Sequence, residues 1–189
     1  YGILCLISNS KASCYNKSID FSNNNFEVAR MLIVFGSLCT DFFLNIETHP
    51  TDRNPVSADM YKMYPGGRGG NQALAAARMG AKTAIVGMIG DDPMGTKLAD
   101  KLRSEGVLTS GVVRSEKPTG CNCVAIDADD NPRIYQAMGA NQDASADQIP
   151  DEILNEASML VLQMELPEEE NYKLMQRAKE NGAEIMLNL

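Results

Sequence analysis

From residue 31 onward, short apolar runs alternate with amphipathic stretches, and glycine, proline or asparagine marks each change of pattern. Met31–Phe35 is apolar at every position and stops at Gly36, as expected of a strand buried on both faces. Residues 42–48 and 57–63 predict shorter, half-exposed strands around a Pro-containing connection. A glycine cluster at 66–70 opens a helix reaching about Met79, and Thr83–Met88 predicts another buried strand. Asp92-Pro93 reads as a helix start, with Asp as N-cap and Pro at the first helical position. Met94, Leu98 and Leu102 give that helix its apolar stripe, and Gly106 follows its end. Runs over 120–127 and 132–138, joined by Asp129-Asp130-Asn131-Pro132, predict a hairpin. A short helix near 150–157 precedes a strand at Met159–Gln163. The next helix, about 168–180, carries Glu168, Glu169 and Glu170 in its first turn and Lys173, Arg177 and Lys179 further on, as the helix dipole favours. Asn181-Gly182 stops it, and Glu184–Leu189 begins one more strand.

Strand–helix alternation predicts an α/β core with a largely parallel sheet. The paired runs at 42–63 and 120–138 do not suit crossover geometry and predict a small antiparallel sheet standing off the main one. A last strand with no helix after it predicts an uncovered face or edge, and residues 31–189 as the front part of a larger domain. Residues 1–30 read differently. They begin at Tyr1, are crowded with Ser and Asn, and hold an apolar run, Ile3–Ile7, too short to span a bilayer and without a basic stretch before it. They are expected to be an upstream, non-core segment, with Met31 as the natural start.

Composition narrows the class. The 189 residues are 44% hydrophobic and 22% charged, with 17 basic and 25 acidic side chains and a net charge of −8. That balance argues against electrostatic binding of nucleic acid or a membrane surface. The five cysteines are odd in number and irregularly spaced, which suits reduced thiols in a cytoplasmic protein. Cys121 and Cys123 flank Asn122 in a strand-like run; no second ligand pair supports a metal role, so buried or half-buried strand thiols are expected. His49, the single histidine, precedes Pro50 and is expected on a surface loop.

The densest chemical signal is Pro65-Gly66-Gly67-Arg68-Gly69-Gly70-Asn71-Gln72-Ala73. Glycines beside a helix start let backbone approach a ligand closely, and the first-turn N–H groups are free donors. Asn71 can both donate and accept, which suits sugar hydroxyls. Two better-known glycine motifs are excluded. The dinucleotide fingerprint fails because Gln72 stands where the third glycine belongs. Gly90–Gly95 has P-loop spacing, but Thr96-Lys97 reverses the required order, and Asp91 and Asp92 would face the phosphates.

Taken together, residues 31–189 resemble the N-terminal part of the ribokinases, within the PfkB family of carbohydrate and nucleoside kinases. The resemblance rests on the run from Gly66 through Gly80 to Gly90, then Gly95, Thr119-Gly120, Gly139-Ala140-Asn141 and Leu162-Gln163-Met164-Glu165-Leu166-Pro167. It implies a ribokinase-like α/β/α sandwich with a lid at about 42–63 and 120–138, a lid that often also pairs two subunits into a homodimer. It implies that Asp41 accepts hydrogen bonds from ribose hydroxyls, that Gly66, Gly67 and Asn71 contact further hydroxyls, and that Glu165 closes the site. Arg68 stands where ribokinases usually carry lysine, and Cys39 where they usually carry asparagine. The family's catalytic aspartate and its ATP and potassium sites are expected beyond Leu189, so no catalytic, cofactor or metal residue is assigned within the chain. The implied reaction moves the ATP γ-phosphoryl group to ribose, with Mg²⁺ and a monovalent cation such as K⁺, and the chain alone is expected to be an inactive fragment. A nucleoside kinase, whose lid would need apolar groups to hold a base, and a non-catalytic sugar-binding or dimerising short form stay open as alternatives.

Overall fold

A computed structural model of the chain describes residues 4–8, 11–14 and 30–188. The elements run β1 (Leu4–Ser8), β2 (Lys11–Cys14), β3 (Met31–Phe35), β4 (Cys39–Ile46), β5 (Ala58–Gly66), α1 (Arg68–Arg78), β6 (Thr83–Gly90), α2 (Pro93–Ser104), β7 (Leu108–Ser115), β8 (Gly120–Ile126) and β9 (Pro132–Ala137). Three short 3-10 turns follow, then β10 (Ser158–Leu162), α3 (Glu168–Glu180) and β11 (Glu184–Asn188). The expected position of residues 1–30 as an upstream segment falls mostly outside the described residues.

The main sheet has the order β2-β1-β11-β10-β3-β6-β7, and its five strands from β11 to β7 are parallel. β3 is central, and Ile33, Val34 and Phe35 are almost wholly buried, as its unbroken apolar run requires. On one face Val34, Ile85, Leu98, Leu102 and Val107 pack with α1 and α2. On the other, Ile33, Phe35, Leu160, Leu162, Leu174 and Ala178 form a second core beneath α3 and the 3-10 turns. The edge of β11 expected to be open carries β1, paired antiparallel, whose backbone takes up its N–H and C=O groups.

The smaller sheet has the order β5-β4-β8-β9. Its two hairpins, β4–β5 and β8–β9, are antiparallel, but β4 and β8 are parallel, so this sheet is mixed rather than antiparallel. The cause is topological. β4 and β8 continue outward from β3 and β7, which already run in the same direction.

Two further expectations change, and one strand appears that the sequence pattern did not signal. β7 was not legible, because Thr109, Ser110, Gly111 and Arg114 dilute its apolar signal; as an edge strand with Leu108 and Val113 exposed it needs little of one. The helix expected near 150–157 is a single 3-10 turn at Asp151–Ile153. Asn155 ends it: its side chain donates to Glu152 O and accepts from Ala157 N, both at 2.9 Å, a local arrangement that competes with helix. His49 is not on the surface but 7% exposed, its Nε2 2.9 Å from Asn131 O. The β4–β5 connection folds down onto the β8–β9 turn, and the imidazole is trapped between them.

The Gly90–Gly95 stretch is a helix cap, as its order of residues suggested. Asp92 Oδ1 accepts from Gly95 N and from Thr119 Oγ1, and Oδ2 accepts from Thr119 N, each at 2.7 Å. Burial pushes this carboxyl up, but the hydrogen bonds from Thr119 and Gly95 outweigh it and hold it below the usual carboxylate range. The cap thereby ties the start of α2 to the root of β8.

Candidate functional site

The site forms where the C-terminal end of β3, the start of α1 and the root of the smaller sheet meet, the place where open α/β sheets receive ligands. Close backbone packing creates it. A Cβ on Gly69 would stand 2.5 Å from the carbonyl carbon of Gly36, so α1 can lie against the β3–β4 turn only because both positions are glycine. Gly67, at φ 87°, is the N-cap of α1 and adopts a conformation that favours glycine.

Asp41 is half-buried on β4. Its Oδ1 accepts from Asn122 Nδ2 at 2.7 Å, and its Oδ2 lies over Gly66, where a Cβ would stand 2.1 Å away. Burial, and to a lesser degree the Glu165 carboxylate, push the Asp41 carboxyl above the usual range, while the Asn122 hydrogen bond pulls it down. Asp41 and Asn71 line one open cleft of about 470 Å³ together with Phe43, Met60, Lys62 and Tyr64. Phe43 and Tyr64 meet edge-on across β4 and β5, with centroids 5.8 Å apart.

Glu165 follows β10. Met164 before it has φ 57°, an uncommon conformation for a non-glycine residue, and this bend turns the Glu165 carboxylate back toward the start of α1. There Ser37 Oγ donates to Glu165 Oε2 and accepts from Arg68 N. Arg68 Nε lies 3.9 Å from Glu165 Oε1, and its Nη2 donates to Asn188 Oδ1 at 3.4 Å. The structure therefore brings the six residues singled out in the sequence into one region: Asp41 and Asn71 at the cleft, Gly66 and Gly67 between them, Arg68 and Glu165 paired beside them.

Cys39 does not face the cleft freely. It is fully buried, 3.5 Å from Asn141 Nδ2, and burial, with the Asp41 and Glu165 carboxylates adding, pushes its thiol up to about 12. Cys121 and Cys123 are half-buried free thiols. Among the described residues no group of three or more His, Cys, Asp or Glu side chains is placed to hold a metal ion, and no helix is long and apolar enough to cross a membrane.

Sequence reasoning missed three residues of this region. Ser37 was hidden because one hydroxyl in a loop carries no periodic signal. Asn122 stands opposite Asp41 only once β4 and β8 are paired. Asn141, quoted only as part of a motif, is fully buried and clamps the β3–β4 turn by accepting from Leu38 N and donating to Leu38 O and Met138 O.

Comparison with known proteins agrees with this geometry. The family profile described as pfkB family carbohydrate kinase matches residues 29–189. A ribokinase of Bacillus subtilis is 31% identical over 164 residues, covering 84% of this chain and 55% of the relative. A ribokinase of Lactococcus lactis is 30% identical over 158 residues, covering 82% and 52%. Among solved structures, Arabidopsis thaliana ribokinase complexed with ribose and ATP matches with a TM-score of 0.73 at 30% identity, covering 83% of this chain and 52% of that one. The chain spans about half the length of the curated relatives it matches.

Proposed function

The chain belongs to the pfkB family of carbohydrate kinases, and from that premise we propose that it carries the sugar-binding half of a kinase that transfers the γ-phosphoryl group of ATP to ribose. The observation that carries the reading is the half-buried Asp41 carboxylate beside Asn71 in an open cleft, with Asn122 as its one side-chain hydrogen-bond partner among the described residues. A carboxylate accepts from two hydroxyls at once, and charge-assisted bonds of this kind are worth roughly 1.5–3 kcal/mol each. In this reading Asp41 and Asn71 bind the sugar hydroxyls, the Gly66-Gly67 backbone approaches the ring, and Glu165, steadied by Ser37 and Arg68, closes the side next to β10.

ATP supplies the phosphoryl group in this reading, with Mg²⁺ and a monovalent cation as its companions. None of residues 1–189 is assigned to hold them, and no step is assigned to them. The catalytic base is likewise assigned to none of residues 1–189, so this stretch alone is expected to release no ADP. The exposed lid side chains Tyr61, Ile134 and Tyr135 support pairing of two copies through the lid. The setting proposed is the cytoplasm.

A nucleoside is the second reading, because Phe43, Met60 and Tyr64 share the cleft with Asp41 and would suit a base. The deciding experiment is a coupled ADP-release assay on the full-length gene product with ribose and with adenosine. Ribose-dependent turnover that Asp41→Asn lowers at least tenfold in kcat/KM is expected. Turnover with adenosine alone would replace ribose by a nucleoside, and an Asp41→Asn variant with full activity would remove Asp41 from the site.

A further inference from the structure

Asn122 is half-buried within the smaller sheet. It stands on β8 in register with Asp41 on the parallel neighbour β4, so both side chains project from the same face. Its Nδ2 donates to Asp41 Oδ1 at 2.7 Å, and because an ionised carboxylate can only accept, that contact fixes which way the amide points. The other end of the amide, Oδ1, is buried and has no hydrogen-bond partner among the described residues. A buried acceptor left unpaired lowers stability, so this amide is not explained by the needs of the fold. Nor does Asp41 serve the fold, since its charge is opposed by burial and by Glu165.

The pair makes sense as a device for presenting one carboxylate oxygen. Asn122 grips Oδ1 from the β8 side, while the missing side chain of Gly66 leaves room on the β5 side for the whole carboxyl group, with Oδ2 nearest. Cys39, two residues before Asp41 on β4, cannot take over this task, since its buried thiol faces Asn141. We propose that Asn122 is a positioning residue for the sugar-binding carboxylate: it fixes Asp41 Oδ1 so that Oδ2 meets the substrate, and thereby sets sugar affinity. The proposal rests on the reading of Asp41 as the sugar-binding group.

The pH behaviour follows from the charges around Asp41. Glu165, from the segment after β10, disfavours its ionisation; Lys62 and Tyr64 on β5 line the same cleft; Arg68 at the start of α1 is paired with Glu165; Cys39 on its own strand is held neutral by burial. Asn122 is the neutral donor that favours the charged form. Its removal therefore moves Asp41 protonation to higher pH, and the acid limb of kcat/KM moves with it.

The test compares the full-length gene product with its Asn122→Ala and Asn122→Asp variants. For Asn122→Ala, KM for ribose is expected to rise about tenfold, the size of one charge-assisted hydrogen bond, with kcat changed far less. The acid limb of kcat/KM, and the midpoint of Asp41 in a carboxylate-selective NMR titration, are expected to shift to higher pH. Asn122→Asp, which sets a second carboxylate against the first, is expected to shift both further. An active wild type in which Asp41→Asn weakens ribose but Asn122→Ala leaves KM and the Asp41 midpoint unchanged overturns this inference alone. A wild type that phosphorylates no sugar, or that ignores Asp41→Asn, overturns it together with the reading beneath it.

Discussion

At the scale of single residues, the site depends as much on atoms left out as on functional groups supplied. Gly66 is the sharpest case. Its backbone is not in the left-handed region, so an alanine costs nothing in conformation, yet its Cβ would sit 2.1 Å from Asp41 Oδ2. The carboxylate must swing away, and it is the mobile partner in that clash. Gly66→Ala is therefore expected to fold with a melting temperature close to that of the wild type while raising KM for ribose at least tenfold. Thermal denaturation alongside a ribose titration reads both. A large drop in melting temperature with affinity intact would mean that Gly66 serves packing rather than the carboxylate.

Among elements, the lid is held by contacts at its two ends. At its root, Asp92 and Asn141 tie β8 and the β3–β4 turn to the main sheet. At its tip, His49 joins the β4–β5 connection to the β8–β9 turn through Asn131 O, with Asp127 Oδ2 3.8 Å from the same nitrogen. Asp127 orders that turn by accepting from Asp129 N and Asn131 N, which supports Asp130 at φ 61°. Replacing His49 by alanine removes the bridge and leaves a cavity, at a cost of about 1–3 kcal/mol to the lid. Amide hydrogen exchange is expected to accelerate over residues 45–49 and 127–131 and to stay unchanged in β3 and β10. Uniform acceleration across the main sheet would show that the tip contact is not local to the lid.

The whole molecule combines a parallel sheet buried at its centre, in β3 and β6, with a lid that exposes large apolar side chains on both faces, Tyr61 and Tyr135 on one and Ile134 on the other. Tyr61 is 63% exposed, Ile134 63% and Tyr135 62%, on three side chains that a solvated strand would ordinarily replace with charge. If two copies pair through these strands, Ile134→Asp with Tyr135→Asp is expected to convert a dimer of the full-length gene product to a monomer in sedimentation velocity. The cleft residues are left intact in that variant. A wild-type monomer, or a dimer indifferent to the two substitutions, would place pairing elsewhere or remove it.

How much of this was legible beforehand divides along a physical line. Local rules act within a few residues. They were enough for the unbroken apolar run of β3, the Asp92-Pro93 start of α2, the acidic-to-basic order along α3 and the glycines before α1. Strand–helix alternation then implied the α/β class, and the glycine run with Asn71 singled out a candidate site region without any tertiary information. Contacts between residues far apart in the chain have no such local signature. Asn122 lies 81 positions from Asp41, Glu165 lies 128 from Ser37, and His49 lies 82 from Asn131. Parallel pairing of β4 with β8 brings the first two together, the Met164 bend turns Glu165 inward, and closure of the lid tip buries the imidazole. The sequence by itself determined most of the core elements, though not β7 or the 3-10 turn at 151–153, and it singled out the candidate site residues. Only the tertiary structure decided which oxygen of Asp41 is held by Asn122, because that depends on the register of two strands that meet through space and not along the chain.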